Sequence, residues 1–475
     1  MNIKQKISPF ALAYLRFFAR LQLQKNRQAK IVGITGSAGK TSCQLAILAA
    51  LGNNKGRFKI KINKKANSET GIPLDILGLQ VKNYRLSDWL RLMLLAPWQL
   101  LTNWQHFDVY VVEMGIDSPH APKNMDYLLS IIQPQITILL NAKLVHSQNF
   151  DQLVKEIEPK KREQAILRLI AKEKSKLALS LTKNALVIIN RDDQLLWQFS
   201  QQSLAEINTF SQDGSNHTQD VDLRLSDWQV DLDASQFSFE INKRVKLNGS
   251  DNKILTIKLN NVVLGQHYAP ILASAILLGL RLGLSKNEIK NNLEKYFVSE
   301  PGRSSLLKAQ KNSYILDSSY NASGMLEMLD LAKHLANKDR RVKRLLAILG
   351  DMRELGEETA SLHQQVADKI TEDFSEVYLV GPLMERYVQP ILQEKIRAGA
   401  STIQKLETFK DSRLAGVALL KNLQAGDLVL LKGSQNEIYL EKAIEPLLAD
   451  KTIAKKVLCR QSAYWLGVKN QQKCQ

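Results

Sequence analysis

A chain of 475 residues, with 44% hydrophobic and 24% charged residues, is long enough for two or three domains and too apolar for a mainly disordered protein. Its formal net charge of +18 is unevenly spread: residues 1–68 hold 14 Lys or Arg and no acid before Glu69, residues 451–475 hold six more and no acid, and 69–450 carry 45 basic against 47 acidic residues. A nearly neutral body between two basic ends excludes a surface coated in positive charge, so nucleic acid is not expected as a partner. The three cysteines, Cys43, Cys459 and Cys474, are too few for a disulfide framework or a four-cysteine zinc ribbon, which points to a reducing cytoplasm.

In chain order, residues 8–24 read as a helix with Phe10, Leu15, Phe18 and Leu21 available for burial. The apolar stretch from Pro9 to Ala19 is interrupted by Arg16 and falls short of the roughly 20 residues of a membrane span. It also lacks a signal-peptide cleavage site. Two readings stay open: the helix packs on its own domain, or it lies peripherally on the inner membrane surface, helped by Lys4, Lys6, Arg16 and Arg20.

From residue 30 the texture is strand, loop, helix: Lys30 to Thr35, Gly36 to Gly39, then Lys40 to Leu51. Further buried strands are expected at Asp108–Glu113, Ile136–Leu140 and Ala185–Asn190, with helices between them, giving a mostly parallel sheet covered on both faces. Alternating polar and apolar residues at 205–264 predict antiparallel strands at the sheet's edge, followed by helices at 268–282 and 286–296. Ser299-Glu-Pro-Gly-Arg303 is the predicted domain boundary. Strands at Tyr314–Asp317, Leu345–Leu349, Glu376–Val380 and Asp427–Leu431 then build a second, Rossmann-like α/β domain. The expected organisation is a basic amphipathic helical segment (1–29), a P-loop α/β domain with a mostly parallel central sheet (30–299), a second α/β domain (300–450) and a basic tail (451–475).

The sharpest local signal is Ile34-Thr-Gly-Ser-Ala-Gly-Lys-Thr-Ser42. Backbone N–H groups of Gly36, Ser37, Ala38 and Gly39 at a helix N-terminus can surround phosphate oxygens. Lys40 can place its ammonium beside the terminal phosphates, and the Thr41 hydroxyl can ligate Mg²⁺. The strict P-loop pattern is not met, because its first glycine position is Ile34, but a strand before and a helix after supply the context. A magnesium-bound triphosphate calls for a carboxylate at a neighbouring strand end, and Glu113 closes the run DVYVVE. His146, after the next buried strand, lies where a second metal or phosphate ligand would come from.

ITGSAGKTS, VVEMG, GRSSLLKAQKNSYILDSSYNAS (302–323), AILGDMRELGEETASLHQQVA (347–367) and LLKGSQNEIYLEK (430–442) occur in order, and together they resemble the successive motifs of the Mur ligases. DSSYNAS and LGDMRELGEE are similar to the members that add D-alanyl-D-alanine to a UDP-N-acetylmuramoyl tripeptide in peptidoglycan precursor synthesis. The resemblance implies an ATP- and Mg²⁺-dependent amide ligase with small-molecule substrates, working through an acyl phosphate that an amine attacks; a monomer is expected, although the sequence does not fix the oligomeric state. It implies that Gly36 to Ser42 hold the phosphates, with Thr41 and Glu113 on one Mg²⁺ and His146 on a second. A carbamylated lysine bridging to that second metal falls on Lys174, with Lys172 and Lys176 as competitors. Arg303 matches the arginine near the γ-phosphate, Asp317 the acid on the ribose, and His267 the adenine side, where Tyr268 replaces an expected asparagine. Asn67, Glu69 and Thr70 match the loop beside the muramyl peptide. Ser319, Tyr320 and Asn321 fall where nucleotide and substrate meet, and Lys432 and Ser434 face the incoming dipeptide. Asp351 and Glu354 either orient the amine or cap a helix.

Family members usually carry a uridine-nucleotide domain before the glycine loop. Here residues 1–29 occupy that place, so the expectation is a ligase without it. The acceptor would then be engaged by the basic N-terminal segment and by Lys55, Arg57, Lys59, Lys61, Lys64 and Lys65. Competing expectations are another carboxylate acceptor, polyglutamate-type or lipid-linked, or a non-catalytic nucleotide-dependent binding module.

Overall fold

A computed structural model of the chain describes residues 9–63, 66–81, 86–144, 148–156, 158–212, 220–242, 244, 253–434 and 437–471. They form two compact units: Met1–Ser226 with Ser238–Thr256 and Ala269–Phe297, and Asp227–Phe237 with Ile257–Tyr268 and Val298–Gln475.

The first unit begins with helix α1 (Pro9–Leu23). Its Leu15 and Ala19 are buried and Phe18 packs against the core, whereas Phe10 stays 67% exposed. β1 (Lys30–Thr35), α2 (Lys40–Ala50), β2 (Ile60–Ile62), α3 (Gly71–Leu77), α4 (Leu86–Thr102) and β3 (Val109–Glu113) follow. Next come α5 (Met125–Ile131), β4 (Ile136–Leu139), α6 (Gln148–Asp151), α7 (Pro159–Leu179), β5 (Leu186–Asn190), α8 (Gln194–Ser200) and β6 (Glu206–Ser211). β7 (Leu223–Val230), β8 (Ala234–Ile241) and β9 (Ile254–Asn260) complete a nine-stranded sheet of order β2-β3-β1-β4-β5-β6-β7-β8-β9. Each residue of β3 and β5 is buried, as expected of parallel strands covered on both faces. α9 (Ala269–Arg281), apolar all round, is buried along nearly its whole length and packs with α2 and with α10 (Lys286–Tyr296).

The antiparallel expectation for 205–264 needs correction at its start, because β6 pairs parallel with both β5 and β7. Its polar residues do not mark a solvent face: Asn208, Thr209 and Ser211 are buried, and the Asp222 carboxylate accepts from the Thr209 amide (2.8 Å) while Asp192 accepts from Ser211. Beyond it, β7 turns into β8 through an Asp231–Ala234 bond of 3.0 Å.

In the second unit, Val230, Leu232 and Val263 from the ribbon β7–β9 enter a core with Leu331, Leu335 and Leu349. β10 (Ser305–Ala309), β11 (Ser313–Ser318), α11 (Met325–Lys338), β12 (Arg344–Gly350), α12 (Thr359–Ile370), β13 (Phe374–Val380), α13 (Pro382–Tyr387), α14 (Gln389–Arg397), β14 (Lys405–Phe409), α15 (Ser412–Asn422) and β15 (Asp427–Lys432) build a six-stranded sheet with its helices. Its order is β10-β11-β15-β12-β13-β14, parallel except for β10 against β11. α16 (Glu441–Ile444), α17 (Ala454–Val457) and α18 (Ala463–Gln471) close the chain.

The segment read as a basic tail is folded in its described part. Leu458, Cys459 and Arg460 are buried: Leu458 packs in an apolar cluster, and Glu441 offers the basic side chains a desolvated carboxylate, paired with Arg460 and 3.3 Å from Lys469.

α15 and α16 approach so closely that a Cβ on Gly416 would sit 2.2 Å from the Ala443 carbonyl oxygen. Gly416→Ala is expected to lower stability by about 1–3 kcal/mol, measured by urea denaturation.

Candidate active site

In the first unit, β1 lies between β3 and β4 with all three parallel, Ile34 opposite Glu113 and Thr35 opposite Leu139. Their carboxyl ends therefore emerge together at one edge. The turn out of β1 needs Gly39, whose φ of +86° at the N-cap of α2 is left-handed backbone that a side chain would strain. Hydrogen bonds to the segment after β4 fasten the loop. The Ala38 amide donates to Asn141 Oδ1 (2.9 Å), the Ser37 amide to the Asn141 carbonyl (2.9 Å), and Ser37 Oγ to the Lys143 carbonyl (3.0 Å). Lys40 folds its Nζ back onto the Gly36 carbonyl, and Thr41 and Ser42 follow in the first turn of α2.

Glu113 is 4% exposed and its backbone is held by Asn63, just beyond β2. The Glu113 amide donates to Asn63 Oδ1 (2.8 Å), Asn63 Nδ2 donates to the Glu113 carbonyl (3.2 Å), and Gln44 of α2 donates to the same Oδ1 (2.8 Å). A buried amide pair thus ties the helix that follows the loop to the strand that carries the carboxylate.

α7 separates the three lysines that sequence left open. Lys172 is exposed, and Lys176 is paired with Asp126 (2.6 Å) and Glu173 (2.8 Å). Lys174 is 3% exposed. Burial, and then the neighbouring Lys40 charge, push its ammonium well below the usual lysine range, against the pull of Asp117, Asp193 and Glu173. Asp193, which the sequence did not single out, caps α8 through the Leu196 amide (3.0 Å) and accepts from Ala142 (2.6 Å).

Near the same edge, the Asn67 carbonyl accepts from Gly115 (2.9 Å), Thr70 is buried before α3, and burial raises the Glu69 carboxyl. Lys55, Arg57 and Lys59 are exposed, whereas Lys61 pairs with Asp75 at 3.7 Å. His146, Lys64 and Lys65 lie outside the described residues.

In the second unit, Asp317 near the end of β11 is fully buried. Its Oδ1 accepts from the Ser319 amide (2.9 Å), and Oδ2 has no hydrogen-bond partner among the described residues. Burial pushes this carboxyl up to about 6. Arg303 lies 4.2 Å over the Tyr320 ring and 3.3 Å from Glu300. Lys432, 2% exposed, donates to the Asn321 carbonyl (2.6 Å); burial lowers it to about 7, with Glu327 opposing and Arg303 adding. Ser434 Oγ accepts from the Arg353 amide (2.8 Å), joining the KGS turn to GDMREL. Asp351 Oδ1 accepts from Leu383 and Met384 at the start of α13, both at 2.9 Å, so this carboxylate serves a helix end. The His267 ring lies 5.0 Å from the Tyr268 ring, tilted by 54°.

Sequence reasoning missed Arg460. Its guanidinium pairs with fully buried Glu441 and donates to the carbonyls of Tyr320 (2.8 Å) and Ser319 (3.0 Å), fixing the loop after β11 from a segment far along the chain. No local pattern marks it.

The donor set fits a magnesium nucleotide. Thr41 and Glu113 offer the oxygen ligands Mg²⁺ prefers, on elements that pack together. A Cβ on Gly36 would lie 3.0 Å from Leu140 Cβ and 3.2 Å from the Ala38 carbonyl oxygen, so the loop's curl depends on bare backbone. The unsatisfied Oδ2 of Asp317 is an acceptor suited to a sugar hydroxyl.

Between pH 3.8 and about 6 the unfolded chain ionises Asp317 while the folded chain keeps it protonated, so this group lowers stability as pH rises through that window. Asp317→Asn is expected to flatten the fall, read as urea midpoints between pH 4 and 7.

Two family models match the chain: the Mur ligase middle domain over residues 34–267, and the Mur ligase glutamate ligase domain over 302–435. A UDP-N-acetylmuramoyl-tripeptide–D-alanyl-D-alanine ligase from Synechocystis sp. is 26% identical over 426 residues, covering 88% of this chain and 75% of the relative. The ligase of that name from Mycobacterium leprae is 23% identical over 442 residues, covering 89% and 74%. Among solved structures, the MurF ligase of Thermotoga maritima in complex with ADP superposes with a TM-score of 0.69 at 20% identity, covering 94% of this chain and 86% of that one. MurF from Acinetobacter baumannii gives 0.65 at 18% identity, with 90% and 78% covered. The chain belongs to the Mur ligase family, whose members are ATP-dependent amide ligases.

Proposed function

We propose that this chain adds D-alanyl-D-alanine to a UDP-N-acetylmuramoyl tripeptide in the cytoplasm, as its relatives are named for doing. The observation that carries the reading is the fastened glycine loop with Glu113 in register beside it and a desolvated Lys174 near Lys40.

The chemistry must bring an anionic carboxylate against a triphosphate, so the repulsion has to be offset where charge builds up. With the Ser37 and Ala38 amides donated to Asn141, the backbone amides from Gly39 into the first turn of α2 bind the phosphates, and Lys40 exchanges its bond to the Gly36 carbonyl for a phosphate oxygen. Thr41 and Glu113 would hold Mg²⁺, which neutralises phosphate charge when bound. Transfer of the γ-phosphoryl group to the acceptor carboxylate gives an acyl phosphate and ADP. The dipeptide amine then attacks the acyl carbon, and phosphate leaves. Among residues of the second unit, Arg303 is assigned to the γ-phosphoryl group, Asp317 to a ribose hydroxyl, and Lys432 and Ser434 to the dipeptide. His267 is assigned to the adenine side, and Ser319, Tyr320 and Asn321 to the nucleotide and substrate. Asn67, Glu69 and Thr70 are assigned to the muramyl peptide, and His146 to a second metal.

Lys174 is the lysine of the three suited to carbamylation, since only a neutral amine attacks CO₂, forming R–NH–COO⁻ and releasing a proton. Burial favours that neutral form. The product would restore a negative charge opposite Lys40.

Phosphate release from ATP is expected only when acceptor and dipeptide are both present, with product mass confirming the amide; release that ignores both would sink the assignment. A panel of other carboxylates in the same assay tests a different acceptor. Lys40→Ala is expected to cut turnover by at least about 100-fold. With ¹³C-bicarbonate, a carbamate carbon signal is expected in the native chain and absent in Lys174→Ala; a signal that survives the substitution would reassign the site.

A further inference from the structure

α4 is apolar on both of its faces. Leu92 and Ala96 are fully buried, and Trp89 and Leu95 join the core. Outward, Leu90, Leu94, Trp98 and Leu101 are 58%, 77%, 60% and 70% exposed, with Trp104 beyond the helix end at 69%. Steps of four, four and three residues keep the outward four on one side of the helix. The helix carries only two charges, Asp88 and Arg91, and they pair at 2.9 Å. Scattered exposed leucines need no explanation, but a continuous stripe of Leu and Trp marks a surface that something covers.

α1 runs beside α4 in the same direction: Tyr14 donates to the Met93 carbonyl (2.9 Å), and farther along Gln22 donates to the Asn103 carbonyl (2.7 Å). It adds exposed Phe10 and Phe17, 67% and 58%. It carries Arg16 and Arg20, and Lys25 and Arg27 follow it, in a stretch without an acid before Glu69. Lys25 sits 4.1 Å over the Trp104 ring, joining the basic helix to the end of the stripe.

We propose that the outward face of α4, with α1 beside it, docks on an anionic lipid bilayer. An apolar stripe containing tryptophan, bordered by cations and lacking acids, matches the acyl boundary on one side and phosphate headgroups on the other. No described helix is long and apolar enough to cross a membrane, so the contact lies in the interface plane. A second copy of the chain is a poorer occupant: a two-fold contact would set the acid-free α1 region against itself and bring like charges together. The sequence placed a membrane reading on α1; in the structure α1 buries Leu12, Leu15 and Ala19, and the larger outward apolar face belongs to α4.

The test is co-sedimentation of the full chain with phosphatidylcholine–phosphatidylglycerol vesicles. Binding is expected, weaker on pure phosphatidylcholine and at raised salt. Leu94→Glu combined with Trp98→Glu is expected to lower vesicle affinity by at least about tenfold while leaving circular dichroism and ATP turnover unchanged. Native protein that stays in the supernatant, or a double variant that binds equally well, overturns the proposal. So does a dimer that the double variant dissolves without any vesicle binding, because the face would then be a self-interface. Should the variant misfold, bromine-labelled acyl chains keep the question open to measurement: they should quench tryptophan emission of the native chain, and unchanged emission overturns the assignment.

Discussion

The parallel pairing of β1 between β3 and β4 is the constraint from which the first unit's chemistry follows. Because the three strands run the same way, the glycine loop, Glu113 and the segment carrying Asn141 all leave the sheet at one edge. Hydrogen bonds on both sides then hold the edge in place. Asn141 and Ser37 fasten the loop to the strand on one side, and Asn63 and Gln44 fasten α2 to Glu113 on the other. Asn63 and Gln44 are buried and would cost free energy to desolvate unpaired, so their pairing resists any other arrangement.

Burying charge is the second recurring device, with different outcomes in the two units. Lys174 is held near Lys40 in a desolvated place, which favours its neutral form. Asp317 is kept partly protonated by burial, and Lys432 is pushed towards its neutral form. The Arg460–Glu441 pair takes the opposite course. The guanidinium pairs with the carboxylate and also satisfies two carbonyls of the loop after β11, and the geometry offsets part of the desolvation cost.

Much of the strand inventory was legible because parallel strands covered on both faces must be runs of β-branched and aliphatic residues, as in KIVGIT, VYVVE and LVIIN. The misreading at β6 has the same root. Its Asn208, Thr209 and Ser211 look like a solvent face, yet all three are buried, and aspartates elsewhere accept from Thr209 and Ser211 inside. Short β2 and the edge strands β10 and β14 carry too few residues to show a period. α4 escaped notice as a surface because its two apolar faces look from sequence like a buried helix. Only exposure separates the stripe of Leu94 and Trp98 from the core side of Leu92 and Ala96.

Sequence by itself determined the glycine loop, the Glu113 strand end, the order of motifs that names the family and the two α/β domains, since each is a local pattern of a few consecutive residues. The tertiary structure decided which of Lys172, Lys174 and Lys176 is desolvated, that Arg460 of an apparent tail anchors the loop carrying Ser319 and Tyr320, and that the stripe on α4 faces outward. Those outcomes depend on burial and on partners distant in the chain. Dielectric surroundings and long-range contacts exist only once the strands have paired and the helices have packed.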